Sequence, residues 1–296
     1  MSEGNGTLGK IISRIGDLPA MPAVVGEVLA LTANPDIPLS DVSRVIERDP
    51  ILTAKLLKVS NSPYYGMRQV VGTLKLALVI LGVREVRNIV IGVAVLDSMR
   101  DKDTETLLHQ HGLWAHSTRV AALCKKLGAH AKGAFQGEDF IAGLLHDVGK
   151  MVLWRHLEGE YRTLFLDAKR LNRPLHEVER DRFGFDHADV IAALAAVWNL
   201  PESLRIALLN HHDAPGRDLG TCKSPKLAAL VRIANAASHD DWVGNGKDPQ
   251  KLKSCSDPAW RLIEGLELQS SPLGHYSTLS SFVTEIDKAP ALAFDS

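Results

Sequence analysis

The segment from Asp139 to Lys150 constrains the fold more than any other part of the chain. The apolar residues within this segment, together with one apolar residue just after it, recur at the spacing of one buried helix face. These residues are Ile141, Leu145, Val148 and Val152. His146, Asp147 and Lys150 fall on the adjoining face. Because an imidazole and a neighbouring carboxylate can bind one divalent cation, and a carboxylate can bridge two, the segment predicts a core helix that carries part of a metal site.

Histidines elsewhere in the chain also lie on apolar helix faces. His116 belongs to one such stripe, His187 opens another, and His211 closes a third with His212 beside it. The apolar members of these stripes are Leu113, Val120, Leu123, Leu127, Ile191, Leu194, Trp198, Leu204 and Leu208. A single buried histidine usually hydrogen-bonds a backbone carbonyl, because burial without a partner is costly. Several such histidines together with Asp147 instead favour a shared metal centre.

The order of these residues resembles the HD superfamily of metal-dependent phosphohydrolases, including its HD-GYP branch. The matching positions are His116, His146, Asp147, His187, His211 and His212. The front of the chain narrows the resemblance to the HDOD domain, an HD-related output domain of bacterial signalling proteins. The segments that carry this likeness are Leu18–Pro22, Asp49–Leu57, Asn61–Ser62 and Ala77–Gly82. The likeness extends over about residues 14 to 240.

The resemblance to the two-metal members implies two ligand sets that share Asp147 as a bridge. The first set is His116, His146 and Asp147, and the second is Asp147, His187, His211 and His212. The family's closing aspartate falls at Asn235, which offers a carbonyl oxygen but no charge. Two divalent ions facing Asp147 alone would leave an excess of about +3, which a buried site cannot carry unneutralised. The site therefore holds two ions with an external anion such as phosphate, or a single ion, or none.

Lys150 lies one turn beyond His146 and, with Asp147, is the candidate catalytic residue. The resemblance implies that this lysine stabilises charge developing on a phosphoryl group; the alternative is an exposed helix lysine. Asp189 and Asp213 are candidates for orienting the histidines. The residues after the histidine pair lack the Gly-Tyr-Pro loop of cyclic-dinucleotide hydrolases, which argues against cyclic di-GMP cleavage.

Composition and charge argue against partners that bind by bulk charge alone. With 45% hydrophobic and 23% charged residues, the chain has the composition of a soluble globular protein. Its net charge of −1 gives no basis for binding nucleic acid or an anionic membrane by bulk charge. Cys124, Cys222 and Cys255 lack the paired spacing of a zinc or disulfide framework, which fits a reducing cytoplasm. No secretory signal and no membrane-spanning apolar run is expected.

The apolar periodicity predicts an all-α fold, with an HD-like helical bundle preceded by a helical HDOD N-terminal half. Residues 1–100 form the N-terminal helical subdomain, 101–240 the metal-site subdomain, and 241–296 a C-terminal loop with short helices. A helix over 104–130 carries His116, a central helix covers 138–157, and a separate helix covers 161–171. His176 is placed at the surface.

Two functions from different classes remain open. The first is a bacterial signal-transduction output module whose HD-type pocket binds one or two divalent ions (Fe, Mn, Ni or Zn) and a phosphorylated ligand without turnover. The HDOD segments and Asn235 favour it, and its expected partners are signalling proteins. The second is an active metal-dependent phosphohydrolase acting on a nucleotide or phosphate ester, which the six retained ligand positions and Lys150 favour. In a third alternative a metal only staples a structural domain.

Overall fold

The computed structural model describes the backbone of residues 3–16, 20–34, 36–61, 65, 67, 69–99, 104–131, 135, 137–213, 218–238, 258–263 and 279–286. Every regular element within these ranges is a helix, which confirms the predicted all-α fold. None of the helices described is both long enough and apolar enough to cross a membrane. Most of the C-terminal segment predicted over 241–296 lies outside the described residues.

The first hundred residues are helical over most of their described length. Their helices are α1 (Glu3–Ile15), α2 (Ala23–Thr32), α3 (Leu39–Ile46), α4 (Pro50–Ser60), α5 (Leu74–Leu81) and α6 (Val83–Ser98). Asp49 caps the start of α4, because its side chain accepts hydrogen bonds from the free N–H groups of Ile51 and Leu52. Pro50 takes the first helical position, where its missing N–H costs nothing. Gly82 separates α5 from α6 at a φ of 83°, a conformation that favours glycine.

The second half contains the helices that carry the predicted ligands. They are α7 (Thr104–His130), α8 (Glu138–Leu145), α9 (Val148–Arg170), α10 (Leu175–Phe183), α11 (His187–Val197), α12 (Glu202–Leu209) and α13 (Pro225–Ala237). Short 3-10 turns occur at Leu219–Thr221 and Pro258–Leu262, and a further helix, α14, covers 279–286. A capping box fixes the start of α11, because the side chains of Asp186 and Asp189 each accept a hydrogen bond from the backbone N–H of the other.

The prediction of one central helix over 138–157 is wrong. The regular helix is interrupted at His146 and Asp147, where Asp147 leaves helical geometry with a φ of −99° and a ψ of 3°, so that α8 ends at Leu145 and α9 begins at Val148. The His146 ring donates from Nδ1 to the carbonyl of Gly143 at 2.7 Å, and this carbonyl would accept the N–H of Asp147 in a continuous helix. The two metal-site residues therefore occupy the break itself.

The separate helix predicted over 161–171 is also wrong. α9 continues without interruption to Arg170, because Tyr161 and Leu164 keep one face of it in the core. Gly159, the residue most able to end the helix, faces open space within it. At the other end of the bundle, α12 stops at Leu209, so His211 and His212 lie in the turn that follows it.

One apolar core runs through both predicted halves and holds α8 at its centre. A β-carbon added at Gly92 of α6 would lie 2.7 Å from Leu144 of α8, and one added at Gly143 would lie 2.7 Å from the Cα of Ala121 in α7. These close approaches fix α8 from two sides, and His146 follows directly at its end. The subdomain boundaries at residues 100 and 240 remain predictions.

Replacing Gly149 with alanine should destabilise the protein. The new β-carbon would lie 2.0 Å from the carbonyl oxygen of His187, and backbone atoms cannot move aside as a flexible side chain can. We expect a loss of about 3 kcal/mol, typical of severe overpacking, measured as a lower midpoint of urea denaturation. Gly159→Ala in the same helix is the control and should leave the midpoint unchanged or raised. Equal midpoints for the two variants would contradict the close packing of α9 on α11.

Candidate metal centre

The side chains predicted as metal ligands lie together where the ends of several helices meet. They are His116 from α7, His146 and Asp147 from the break before α9, His187 from α11, His211 and His212 after α12, and Asn235 from α13. Two clusters share Asp147, and in each the ligand atoms lie within 4.8 Å of one another. The His187 cluster is Asp147, His187, His211 and His212, and the His116 cluster is His116, His146 and Asp147.

The His187 cluster has the dimensions of a coordination shell. Asp147 Oδ1 lies 3.3 Å from His187 Nε2 and 3.7 Å from His211 Nε2. His187 Nε2 lies 3.3 Å from His211 Nε2 and 2.8 Å from His212 Nε2. A metal ion about 2.1 Å from each ligand requires ligand atoms about 3.0 to 3.4 Å apart in octahedral or tetrahedral geometry. The observed separations span this range.

Hydrogen bonds at Nδ1 aim three imidazoles into the site. His146 donates to the carbonyl of Gly143, and His211 donates to the carbonyl of Leu208 at 2.6 Å. A carbonyl oxygen can only accept, so Nδ1 carries the proton and the Nε2 lone pair of both rings is free for a metal. The ring of His187 is oriented in the same way, because its Nδ1 hydrogen-bonds to the Glu179 carboxylate.

Two buried atoms of the site have no hydrogen-bond partner among the described residues. They are His146 Nε2 and Asp147 Oδ1, one in each cluster. Buried polar atoms are nearly always paired, and once His187 is deprotonated both atoms are lone-pair donors that face other lone-pair donors. A cation satisfies such a set where a further protein group would not. The residues present therefore fit a divalent metal ion.

The His116 cluster differs from the His187 cluster because two of its three ligand groups, Asp147 and His116, already hold hydrogen bonds with atoms outside the cluster. Lys150 Nζ donates to Asp147 Oδ2 at 2.6 Å, and His146 Nε2 lies 3.3 Å from the same oxygen. His116 Nε2 lies 2.9 Å from the Asn235 side-chain oxygen. Whichever way the asparagine amide is turned, this hydrogen bond occupies Nε2 of His116. A metal in this cluster must displace an ammonium group and break a hydrogen bond.

Glu179 is a member of the site that sequence reasoning missed. It is fully buried in α10 and accepts from both the backbone N–H and the ring of His187, the latter at 2.6 Å from Nδ1. The hydroxyl of the buried Tyr161 also donates to it. A metal-bound histidine commonly gives its second N–H to a carboxylate, which fixes the ring. The sequence feature that could have indicated this role is the position of Glu179 on the inward face of α10, next to Val178 and four residues after Leu175.

The buried imidazoles differ in protonation state because their surroundings shift their pKa values in different directions. Burial lowers the pKa of His187, but the Glu179 carboxylate outweighs it and raises that pKa to about 9. Burial lowers the pKa of His211 to about 3. It also lowers the pKa of His212, with the neighbouring histidines acting in the same direction. At neutral pH, His187 is therefore cationic and its Nε2–H can donate to His212, while His211 and His212 are neutral.

Four other predictions about single residues have clear outcomes. His176 is not a surface residue: it is half-buried and stacks on His212 with ring centroids 4.2 Å apart, a contact between α10 and the turn after α12 that no stripe on α10 reveals. Lys150 is not an exposed helix lysine, because its side chain is only 15% exposed. Asp189 bonds to Arg180 and the α11 cap, and the largely exposed Asp213 pairs with Arg232. The carboxylate that hydrogen-bonds to the His187 ring belongs instead to Glu179.

Comparison with known proteins places the chain among HDOD proteins. Residues 18–214 match the HDOD domain family. An uncharacterized protein of Treponema pallidum is 31% identical over 208 residues, which cover 69% of this chain and 39% of that protein. The chain thus spans about two-fifths of the length of this relative.

Solved structures share the fold at low sequence identity. An HDOD domain protein of unknown function from Geobacter sulfurreducens superposes with a TM-score of 0.74 at 22% identity, covering 95% of each chain. A protein from Shewanella amazonensis described as a candidate phosphohydrolase superposes with a TM-score of 0.70 at 22% identity, covering 94% of this chain and 97% of that one. At this identity the likeness establishes the fold alone.

Metal binding should release a proton because of Glu179. A divalent ion needs neutral His187, whose pKa of about 9 keeps it protonated at neutral pH, so the apparent affinity should fall tenfold per unit as pH drops below that value. Titration calorimetry with Zn²⁺ in buffers of different ionisation enthalpy should report about one proton released at pH 7. Glu179→Gln removes the charge that raises this pKa and should largely abolish the release.

Glu177→Gln is the control for this titration. Glu177 lies on the same helix, is half exposed and pairs with Arg173, so its loss should leave the proton release as in the wild type. Equal proton release from the wild type and Glu179→Gln would contradict the assigned role of Glu179.

Proposed function

The chain belongs to the HDOD domain family, and on that premise we propose that it is a bacterial signal-transduction output module that binds one divalent metal ion in the His187 cluster. One observation supports this most strongly: Asp147 Oδ1 is buried, makes no hydrogen bond among the described residues, and faces imidazole nitrogens at coordination spacing. Nitrogen and oxygen ligands of this kind suit iron, manganese, nickel or zinc.

Charge balance favours one ion over two. Asp147 and Glu179 contribute two negative charges and Lys150 one positive charge, so one divalent ion with neutral histidines leaves an excess of about +1, and two ions leave about +3. A buried site must neutralise or avoid such an excess of positive charge. The Lys150 ammonium already gives the His116 cluster the positive charge that a second metal ion would otherwise bring.

A phosphorylated ligand is the natural counterpart of the remaining positive charge. The Lys150 ammonium lies beside both clusters with 15% of its side chain exposed, where it could donate to a phosphate oxygen. The metal, when bound, would polarise the same phosphate group. The proposed module thus recognises a phosphorylated small molecule and passes the bound state to signalling proteins in the cytoplasm.

The alternative function is a metal-dependent phosphohydrolase. The six matching ligand positions and the placement of Lys150 next to Asp147 support it. In that case Lys150 would stabilise the charge that develops on the phosphoryl group, and Glu179 would hold His187 in place. The Asn235 contact to His116 favours the binding function, since it engages a ligand that two-metal chemistry needs free.

Purified protein should contain about one metal ion per chain by elemental analysis after loading with excess Mn²⁺ or Zn²⁺ and removal of free ion. Asp147→Asn and His211→Ala each remove a ligand of the His187 cluster and should lower the metal content to near zero. His156→Ala, which removes an exposed histidine of α9, is the control and should leave one ion bound. Full metal content in Asp147→Asn protein would contradict the proposed site.

Asn235→Asp should convert the His116 cluster into a second metal site. The new carboxylate adds an anionic ligand beside His116 and offsets part of the excess charge. We expect the metal content to rise towards two ions per chain. Asn34→Asp adds the same charge on an exposed loop and should not change it. Two ions bound to the wild type with equal affinity would contradict the one-ion proposal.

A substrate screen separates the binding module from the hydrolase. Protein loaded with Fe, Mn or Ni should turn over neither phosphodiesters nor phosphomonoesters, while retaining its metal. Turnover that disappears in His146→Ala protein would overturn the binding function and establish the hydrolase.

A further inference from the structure

A cavity separate from the metal centre lies between α1 and the turn before α11. Its volume is about 320 Å³, and its lining residues are Lys10, Ser13, Arg14, Arg182, Phe183 and Phe185. Half of these residues come from α1, which precedes residue 18, where the match to the HDOD family begins. The cavity is therefore built partly by a segment outside that match.

The cavity is locally basic although the chain carries a net charge of only −1. Glu160 of α9 pairs with Arg14 and also accepts from Arg182 Nε at 3.0 Å. Because Arg182 uses Nε for this contact, its two terminal amino groups remain for another acceptor. Within the described part of the chain no carboxylate pairs with Lys10. Of the three cationic side chains, Arg14 and Arg182 thus share one anion, and Lys10 adds a third positive charge.

Aromatic rings give the same cavity an apolar wall. Phe183 and Phe185 stack with centroids 5.8 Å apart, and Phe185 is only 1% exposed, so the wall is fixed by the core. The Arg14 guanidinium lies 5.4 Å from the Phe183 ring centroid. Between the two rings, Gly184 adopts a φ of 76°, and a β-carbon there would lie 3.4 Å from Lys10 Nζ. The basic groups and the aromatic wall therefore face one space.

We propose that this basic cavity binds a small phosphorylated molecule with an aromatic portion, such as a nucleoside monophosphate. Guanidinium groups match phosphate oxygens with paired hydrogen bonds, and a lysine adds a point charge. The volume lies at the lower end of small-molecule pockets and has room for about ten waters. That space is more than inorganic phosphate fills, and Phe183, the partly exposed ring of the pair, offers an apolar surface to a planar ring. The proposal goes beyond the metal centre and does not depend on it.

The test is titration calorimetry of the full chain with AMP and GMP at low ionic strength, with adenosine and inorganic phosphate as partial ligands. AMP or GMP should bind saturably, and adenosine should not, because it lacks the charge. Lys10→Gln and Arg182→Gln should each weaken binding about tenfold through loss of a charge-assisted hydrogen bond. Arg170→Gln removes an exposed charge about 15 Å along α9 from Glu160 and should leave binding unchanged.

The remaining outcomes separate this site from the metal centre. Asp147→Asn protein should bind the nucleotide as the wild type does, so loss of metal binding and loss of nucleotide binding are distinguishable. Absence of saturable AMP or GMP binding at millimolar concentration would overturn the proposal. So would equal weakening by Arg170→Gln, tight binding of adenosine, or loss of nucleotide binding in Asp147→Asn protein.

Discussion

The buried carboxylate of Asp147 is the constraint on which the rest of the metal centre depends. Burial alone would raise its pKa, but His146 and Lys150 lower it well below the usual value, so the group stays charged while only 1% exposed. A buried charge must be matched by its neighbours. Here the match comes from the helix break at His146, the lysine one turn later, and imidazoles carried by α7, α11 and the turn after α12.

Asp147 divides its two oxygens between clusters of different character. Oδ2 is held by Lys150, and His116 on that side is held by Asn235. Oδ1 faces imidazoles whose outer nitrogens are fixed, as His211 is by Leu208. On one side of the site, Asp147 Oδ2 and His116 are therefore hydrogen-bonded to protein groups, and on the other side, once His187 loses its proton, a cation is needed to pair with the ligand atoms. This asymmetry is the physical basis for the one-ion binding module that we propose, and the separate basic cavity would give that module a second input.

The sequence predicts most of the ligand set because histidine on an apolar helix stripe is an unusual and costly pattern. The helical fold follows from the same periodicity and from caps such as Asp49. Glu179 and His176 were missed or misplaced because their roles arise from contacts of α10 with α11 and with the turn that bears His212, which spacing within α10 does not encode. The break at His146 also depends on a side-chain bond to Gly143 that competes with the helix, so periodicity alone predicts a continuous helix there.

Anomalous diffraction from crystals of the Zn²⁺-loaded protein tests the central claim most directly. We predict one anomalous peak per chain, about 2.0 to 2.2 Å from Asp147 Oδ1 and from Nε2 of His187, His211 and His212, with Lys150 still on Oδ2. A peak outside this cluster, or none among these side chains, would contradict the one-ion site.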